Sequence, residues 1–161
     1  MAYCTIDDPT LYMNITLWTG NNAARSITGL NHAPAMLIIK SRSNSSSWYM
    51  FDKNRGTNKI SPDDNTVDSD QSGEAFTSLD SDGMTFNDSG GGGGINSNAL
   101  TYCGWSWKGG TTSGITTNGS TNVTPSSYSF DQTGKFASLK YSGNGNTDNQ
   151  VAHGLGSAPH F

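Results

Sequence analysis

The stretch TYCGWSWK, residues 101–108, has a cysteine and two tryptophans at every second position. Successive side chains of an extended strand point to opposite faces, so Cys103, Trp105 and Trp107 line one face of a predicted strand. Because tryptophan buries a large apolar area, we expect this face to turn towards the core and to leave Trp105 or Trp107 with almost no exposed surface. Two tryptophans open to solvent side by side would instead indicate a platform for sugar binding.

Further stretches along the chain carry the same strand signals. β-branched, aromatic or alternating apolar residues make up LYMNITLW (11–18), AMLIIK (35–40), SWYMFDK (47–53) and FASLKY (136–141). The clearest turn lies in LDSDGMTF (79–86), which predicts a hairpin with Gly83 in a left-handed conformation. No dozen residues keep apolar positions at i, i+3, i+4 and i+7, so helices are not expected. The sequence therefore predicts an all-β sandwich of short strands joined by polar turns.

The composition excludes several classes of protein. Of 161 residues only 14% are charged, and the net charge is −4. No basic stripe is present to neutralise phosphates, so we expect no nucleic-acid partner. The longest apolar run, AMLII (35–39), is far shorter than the roughly 20 residues of a membrane-spanning helix, so we expect no membrane insertion. The N-terminus has neither a basic start nor an apolar segment, which predicts that no secretory signal peptide is present.

The cysteines and histidines show no metal-binding spacing. Without a secretory signal, Cys4 and Cys103 are predicted to be free thiols, with a disulfide between them as the alternative. Neither a CxxC pair nor paired histidines are present, so no zinc-type site is expected. His32 and His153, which precede the two Ala-Pro pairs of the chain, are predicted to donate to turn carbonyls.

Two distant parts of the chain resemble each other. Residues 17–36 (LWTGNNAARSITGLNHAPAM) align with residues 140–161 (KYSGNGNTDNQVAHGLGSAPHF). Trp18 matches Tyr141 and Pro34 matches Pro159, so the offset grows from 123 residues (18 to 141) to 125 residues (34 to 159). A repeat of this period is typical of an array of whole domains.

The repeat suggests a domain organisation. We predict an N-terminal arm at 1–10, a β-sandwich at 11–108, a Ser/Thr/Gly-rich linker at 109–134 and the start of a second, truncated copy at 135–161. The alternative is that the last strands complete the sheet of the first domain, since an isolated strand pair is only marginally stable.

Catalytic motifs are missing from the sequence. Glycosidases use two carboxylates about 5–10 Å apart, whereas Glu74 is the only glutamate of this chain. Asp80 and Asp82 precede a glycine and are predicted to be turn residues. No nucleophile motif such as GxSxG is present, so we expect a protein that is not an enzyme.

One acidic stretch, residues 61–74, is a candidate calcium site. Its candidate ligands are Asp68, Asp70 and Glu74, because Ca²⁺ prefers clusters of oxygen ligands. An EF-hand loop that started at Asp68 would need glutamate where Leu79 stands. A solvated acidic loop is therefore the competing interpretation, and no other cofactor is expected.

The stretch WYMFDKNRG, residues 48–56, supplies candidate carbohydrate-binding residues. Trp48 or Tyr49 would stack on a sugar ring, and Asp52 or Asn54 would accept from its hydroxyl groups, with Arg55 beside them. The competing interpretation places the aromatic side chains in the core and the polar residues in the following loop.

Five stretches in order carry a resemblance to a known family. They are YCTIDDPTLYMNITLWTG (3–20), WYMFDKNRG (48–56), FTSLDSDGMTF (76–86), YCGWSWKGGTTSGITTNGS (102–120) and VAHGLGSAPHF (151–161). With them the chain resembles a repeat domain of unknown function from structural proteins of marine tailed bacteriophages. The resemblance implies a concanavalin- or laminin-G-like β-sandwich, that is, an antiparallel jelly roll.

The resemblance also implies a function. It indicates a non-enzymatic component of the virion, a tail fibre or a surface decoration, with other virion proteins, copies of itself and a host-surface glycan as partners. The alternative is a carbohydrate-binding module of a bacterial adhesin, and a third hypothesis is a glycan hydrolase. Fold alone does not choose among them.

Overall fold

The structure, a computed structural model, describes residues 6–87, 94–117 and 121–159. These residues form a short 3-10 helix at Pro9–Leu11 and eleven strands. The strands are β1 (Met13–Thr19), β2 (Arg25–Thr28), β3 (Pro34–Ser41), β4 (Tyr49–Asp52), β5 (Asn58–Lys59), β6 (Ser69–Asp70), β7 (Phe76–Leu79), β8 (Gly83–Phe86), β9 (Thr101–Lys108), β10 (Ser127–Asp131) and β11 (Phe136–Lys140). Within the described ranges, no helix has the length and apolarity to cross a membrane. Residues 1–5 of the predicted arm lie outside the described part.

Two antiparallel sheets pack face to face, which confirms the predicted all-β sandwich. The four-stranded sheet has the order β1-β9-β3-β4, and the three-stranded sheet has the order β2-β8-β7. The core between them consists mainly of Trp18, Leu37, Ile39, Phe51 and Tyr102 from the first sheet and Ile27, Phe76, Met84 and Phe86 from the second. We call the side of the four-stranded sheet towards this core its inner face and the opposite side its outer face.

The tryptophans of β9 lie on the outer face and are half-buried, so the prediction that Trp105 or Trp107 is almost fully buried is wrong. The inner face of β9 carries Tyr102 and Gly104 instead. Trp18 of the neighbouring strand stacks on Tyr102 with ring centroids 5.5 Å apart, and a Cβ on Gly104 would lie 3.0 Å from the Trp18 ring. Gly104 therefore makes room for Trp18, and the period of two turns Trp105 and Trp107 outward.

The hairpin predicted for LDSDGMTF is confirmed by β7 and β8. Leu79 pairs with Met84, and the Asp80 N–H donates to the Gly83 carbonyl at 2.9 Å. Gly83 does not adopt the predicted left-handed conformation. Glycine at this position allows β8 and β2 to approach each other closely. A Cβ here would lie 1.9 Å from the carbonyl oxygen of Ile27 in β2.

The segment after β9 packs against the sandwich, which differs from the extended linker predicted at 109–134. Strand β10 lies within that range and pairs with β11, so the predicted boundary falls in the turn of a hairpin. Phe136 stacks on Trp107 with ring centroids 6.1 Å apart, and Lys108 Nζ lies 3.3 Å from a carboxylate oxygen of Asp131. The hairpin therefore covers one end of the outer face.

The residues beyond the sandwich also build a small core of their own. It consists of buried Ile115, Phe130, Ala152 and Leu155. The parallel bridge between Val123 and Val151 ties the last described residues to this core. Apolar side chains of the predicted linker are thus part of a folded core. Their burial removes apolar surface from water, which stabilises this part of the fold.

The two halves of the sequence repeat adopt the same local turn. Leu30 and Leu155 are both buried, and each lies between two residues with positive φ. The residues beside Leu30 have φ of 86° and 64°, and those beside Leu155 have φ of 74° and 74°. That residues 135–161 begin a second copy stays a prediction, and residues 160–161 lie outside the described part.

The close approach at Gly83 predicts the effect of Gly83→Ala. The new methyl group would collide with the Ile27 carbonyl, so we expect a loss of about 1–3 kcal/mol in the free energy of unfolding, measured by urea denaturation. Gly73→Ala is the matched control, since a Cβ there meets no atom within 4 Å and the residue has no positive φ. Equal stability of the two variants would contradict this account of Gly83.

Candidate functional site

The two aromatic residues predicted to bind carbohydrate lie on opposite faces of the sheet. Trp48 is on the outer face, 36% exposed, and its ring stacks on Trp105 with centroids 5.6 Å apart. Tyr49 packs against the core, with Lys59 Nζ 4.0 Å from its ring centroid. Burial, and to a lesser extent the Glu74 carboxylate, raises the pKa of Tyr49. Of the two, Trp48 is the one available for contact with another molecule.

Aliphatic side chains of β1 continue the apolar surface beside Trp48 and Trp105. Ile15 and Leu17 are 52% and 60% exposed, and Ile15 lies directly opposite Trp105 in the register of β1 and β9. We call Ile15, Leu17, Trp48 and Trp105 the outer patch. Exposed apolar clusters of this kind commonly mark interaction surfaces. The alternation in LYMNITLW indicates this surface, but it does not tell which face of β1 meets water.

Cys103 is a buried free thiol on the outer face, as predicted, whereas Cys4 lies outside the described residues. Burial raises the pKa of the Cys103 thiol, against the opposing effect of the Arg42 guanidinium. A thiol held in its protonated form is a poor nucleophile. Cys103 therefore serves packing under the outer patch.

The other three predicted carbohydrate-binding residues lie in the turn after β4. The Asp52 carboxylate accepts from the backbone N–H groups of Asn54 and Arg55 at 2.9 and 3.1 Å and from Arg55 Nε at 2.7 Å. The Asn54 amide donates to the carbonyl and hydroxyl oxygens of Ser138 and accepts from the Ser127 hydroxyl at 2.8 Å. Asn54 thus joins the sheet to both strands of the hairpin, which occupies the groups predicted to meet a glycan.

A cleft of about 340 Å³ separates the outer face from β11. Its walls are mainly apolar and include Met36, Met50, Ile60 and Leu139. Asp52 and Arg55 line it, and Lys140 and Tyr141 follow at the end of β11. The sequence prediction found Asp52 and Arg55, but it assigned Lys140 and Tyr141 to a second copy and so missed their place here.

The predicted calcium ligands do not come together. Asp70 accepts from the Thr57 hydroxyl at 2.7 Å and from the N–H and hydroxyl groups of Ser72, while Asp68 and Glu74 are exposed. Among the described residues, no three His, Cys, Asp or Glu side chains form a group suited to a metal ion. The prediction of a solvated acidic loop fits this arrangement.

Asp80 and Asp82 are turn residues, as predicted. Asp80 accepts from two hydroxyl groups within its own hairpin. The Asp82 carboxylate accepts from the backbone N–H groups of Gly29 at 3.0 Å and Asn31 at 2.7 Å. Both of those residues have positive φ, so Asp82 holds the strained turn around Leu30 in place.

A buried histidine and serine lie side by side in the sandwich. His32 Nδ1 lies 3.0 Å from the Thr10 carbonyl, which can only accept, so His32 donates to a backbone carbonyl as predicted. His32 Nε2 lies 3.1 Å from the Ser106 hydroxyl, and both side chains are buried. His153 Nδ1 accepts from the Leu155 N–H at 3.1 Å, and donation by this histidine to a turn carbonyl stays a prediction. Burial on all sides makes the His32–Ser106 pair a packing element.

A family model covers the sandwich and the hairpin together. It is described as a domain of unknown function, DUF7483, and it matches residues 8–161. The chain belongs to this family. No curated protein and no solved structure matches the chain. The family description names no activity.

The acidic loop offers a test of its hydrogen bonds. The Thr57 hydroxyl is the main cause that lowers the pKa of Asp70, and the Thr66 hydroxyl is the main cause that lowers the pKa of Asp64. We expect Thr57→Val to raise the pKa of Asp70 alone and Thr66→Val to raise that of Asp64 alone, measured by NMR titration of the carboxyl carbons.

The sign of the stability effect follows from the direction of both shifts. A pKa lower in the folded state than in the unfolded chain stabilises the fold above the unfolded value, and this contribution is lost as the pH falls through the folded value. Each valine variant should therefore be less stable than the wild type above the unfolded pKa, and this difference should disappear as the pH falls through the folded pKa. A titration in which either substitution moves both carboxyl groups equally would contradict the assignment.

The contact of Asp82 with the turn at 29–31 predicts that Asp82→Ala is destabilising. The exposed N–H groups of Gly29 and Asn31 lose a charged acceptor, so we expect a loss of about 1 kcal/mol in the free energy of unfolding by urea. Asp68→Ala removes an exposed carboxylate and should leave the unfolding midpoint unchanged. The explanation fails if both variants unfold at the same urea concentration.

Proposed function

We propose that the chain is a non-enzymatic structural module of a tailed-bacteriophage particle, a tail fibre or a surface decoration, and that it acts by contact with other virion subunits and host-surface glycans. The observation that carries the proposal is the outer patch. Three of its four side chains belong to strands of the four-stranded sheet, and more than half of the Ile15 and Leu17 surfaces faces solvent. A rigid apolar surface suits binding without a chemical step.

The position of β1 supports contact between subunits. β1 is an edge strand of the four-stranded sheet, with β9 as its one neighbour in that sheet. Edge strands that expose apolar side chains tend to pair or pack with another chain. A homo-oligomer or an array of virion subunits would bury this edge together with the outer patch, and many copies would multiply weak contacts by avidity.

The virion setting is supported by the sequence resemblance to phage structural proteins. The low charge of the chain agrees with it, because 14% charged residues leave few long-range attractions to unrelated molecules. The jelly-roll form of the sandwich is likewise part of this proposal.

The second candidate is a carbohydrate-binding module of a bacterial adhesin. It is favoured by the exposed Trp48 ring, since aromatic rings bind the apolar faces of sugars, and by the cleft next to Arg55. Both candidates include a glycan contact, and they differ in whether the polypeptide is found in phage particles or on a bacterial surface.

The outer patch predicts a specific assembly defect. A phage that carries Ile15→Thr and Leu17→Thr should produce a folded chain that enters particles at a much reduced level, because the apolar contact area is lost. Val67→Thr is the matched control, since Val67 is 85% exposed and lies in the loop between β5 and β6. The measurements are the amount of this polypeptide in purified particles and its position in an electron-microscopy map. Its absence from wild-type particles would overturn the proposal.

A further inference from the structure

Arg55 is an arginine that the protein leaves incompletely partnered. Its side chain is 10% exposed, and Nη2 forms an ion pair with Asp52 Oδ2 at 2.5 Å. Both Nη atoms are buried; Nη2 has the Asp52 carboxylate as its acceptor, and Nη1 has no acceptor among the described residues. A guanidinium has five N–H donors, and buried donors are nearly always paired in folded proteins. The side chain therefore lacks acceptors in the place where it lies.

Asp52 supplies no further acceptor. Its Oδ1 accepts from two backbone N–H groups, and its Oδ2 already meets Arg55 Nε and Nη2. The acceptor that completes Arg55 must come from outside the turn. The cleft described above is the adjacent open volume, and Arg55 lines it.

The charge of the cleft favours an anion. Its charged lining residues are two cations, Arg55 and Lys140, and one carboxylate, Asp52, in a chain whose net charge is −4. Arginine pairs well with carboxylate and sulfate groups because its planar donors match their oxygens. The local excess of positive charge contrasts with the rest of the molecule.

The remaining surfaces of the cleft suit a sugar ring. Tyr141 is 53% exposed at the rim, where its ring can stack on the apolar face of a pyranose. The methionines and Leu139 provide an apolar wall behind it. The combination of a cation at the floor, a second cation and an aromatic ring at the rim is suited to an acidic sugar.

We propose that this cleft binds the carboxylate or sulfate group of an acidic glycan, with Arg55 as the main anion-binding residue and Lys140 and Tyr141 as contacts at the rim. The inference rests on the proposed glycan contact and names its chemical class. Because the Arg55 Nη atoms have no exposed surface, binding includes a rotation of the rim side chains, which are exposed at the end of β11.

The experiment uses the full chain and calorimetric titration with three oligosaccharides of equal length: an oligogalacturonate, a sulfated galactan and an unsulfated galactan. We expect at least one acidic oligosaccharide to bind about tenfold or more tightly than the neutral one, as for one charge-assisted hydrogen-bonded pair. Equal binding of all three, or no binding by either acidic probe, would overturn the inference; the second result is expected if a water molecule alone completes Arg55.

Variants locate the binding. Arg55→Gln should lose about tenfold or more in affinity, and Lys140→Gln should lose less and should weaken the salt dependence. Arg42→Gln is the matched control, because it removes an exposed arginine outside the cleft with the same change in charge. If Arg55→Gln fails to fold, Tyr141→Ala at the exposed rim replaces it and should weaken binding of the acidic glycan.

Two results separate this inference from the proposed function. If acidic-glycan binding persists in the cleft variants and disappears in Trp48→Ala, the cleft is not the binding site. The proposed glycan contact would still stand. A chain that is located in virions but binds inorganic sulfate and the sulfated galactan equally would overturn the glycan assignment and leave the virion role intact.

Discussion

The packing of Trp18 against β9 is the constraint on which the arrangement of the sandwich depends. Trp18 stacks on Tyr102, and its ring centroid lies 5.7 Å from that of Phe86 in the opposite sheet. Its Nε1 donates to the Ile95 carbonyl at 3.1 Å. The indole fits because Gly104 has no side chain at the point of contact. A Cβ at that position would lie 3.0 Å from the Trp18 ring, so even alanine would require the indole to shift. The side of β9 that faces the core follows from this contact.

This choice gives the four-stranded sheet two apolar faces. Sheets covered on both sides carry nearly continuous apolar runs, and β3 and β9 show this feature. The hairpin β10–β11 covers one end of the outer face through the stack of Phe136 on Trp107. The other end has no cover among the described residues, so Ile15 and Leu17 remain exposed there. Successive side chains of β1 and β9 point to opposite faces of the sheet. The packing of Trp18 in the core and the exposure of the outer patch both follow from this alternation.

The sequence predicts well where the main strands lie, but it predicts poorly which side of a strand faces the core. The reason is physical. A period of two separates the two sides of a strand, but in β9 one side carries Tyr102 and the other carries Trp105 and Trp107, and size favoured the side with tryptophan. Gly104 decides which side of β9 faces the core, because its missing side chain leaves room for the Trp18 ring. Trp18 lies more than eighty positions away in the chain. The hairpin turn at 80–83 was predictable because aspartate, serine and glycine stand between two apolar runs, whereas the need for Gly83 comes from a contact with β2 that the local pattern does not show.

The site was predictable to the same extent. Asp52 and Arg55 meet because they are three residues apart in one turn, and the sequence places them together. Their neighbours Lys140 and Tyr141 come from a hairpin whose docking depends on Asn54, Ser127 and Ser138. β10 was not predicted because it contains both polar and aromatic residues and has no continuous apolar run. Contacts of this kind depend on tertiary packing, which local patterns do not encode.

The turn at 52–55 connects packing to recognition. Asn54 fastens both strands of the hairpin to the sheet, while Arg55, the next residue, lines the cleft that the hairpin closes on its other side. A shift of the hairpin would change the width of the cleft and the distance from Lys140 to Arg55 at once. The cleft therefore depends on the docked hairpin. The β10–β11 hairpin is therefore more than a spacer between binding units, because the sandwich alone supplies only one wall of the cleft.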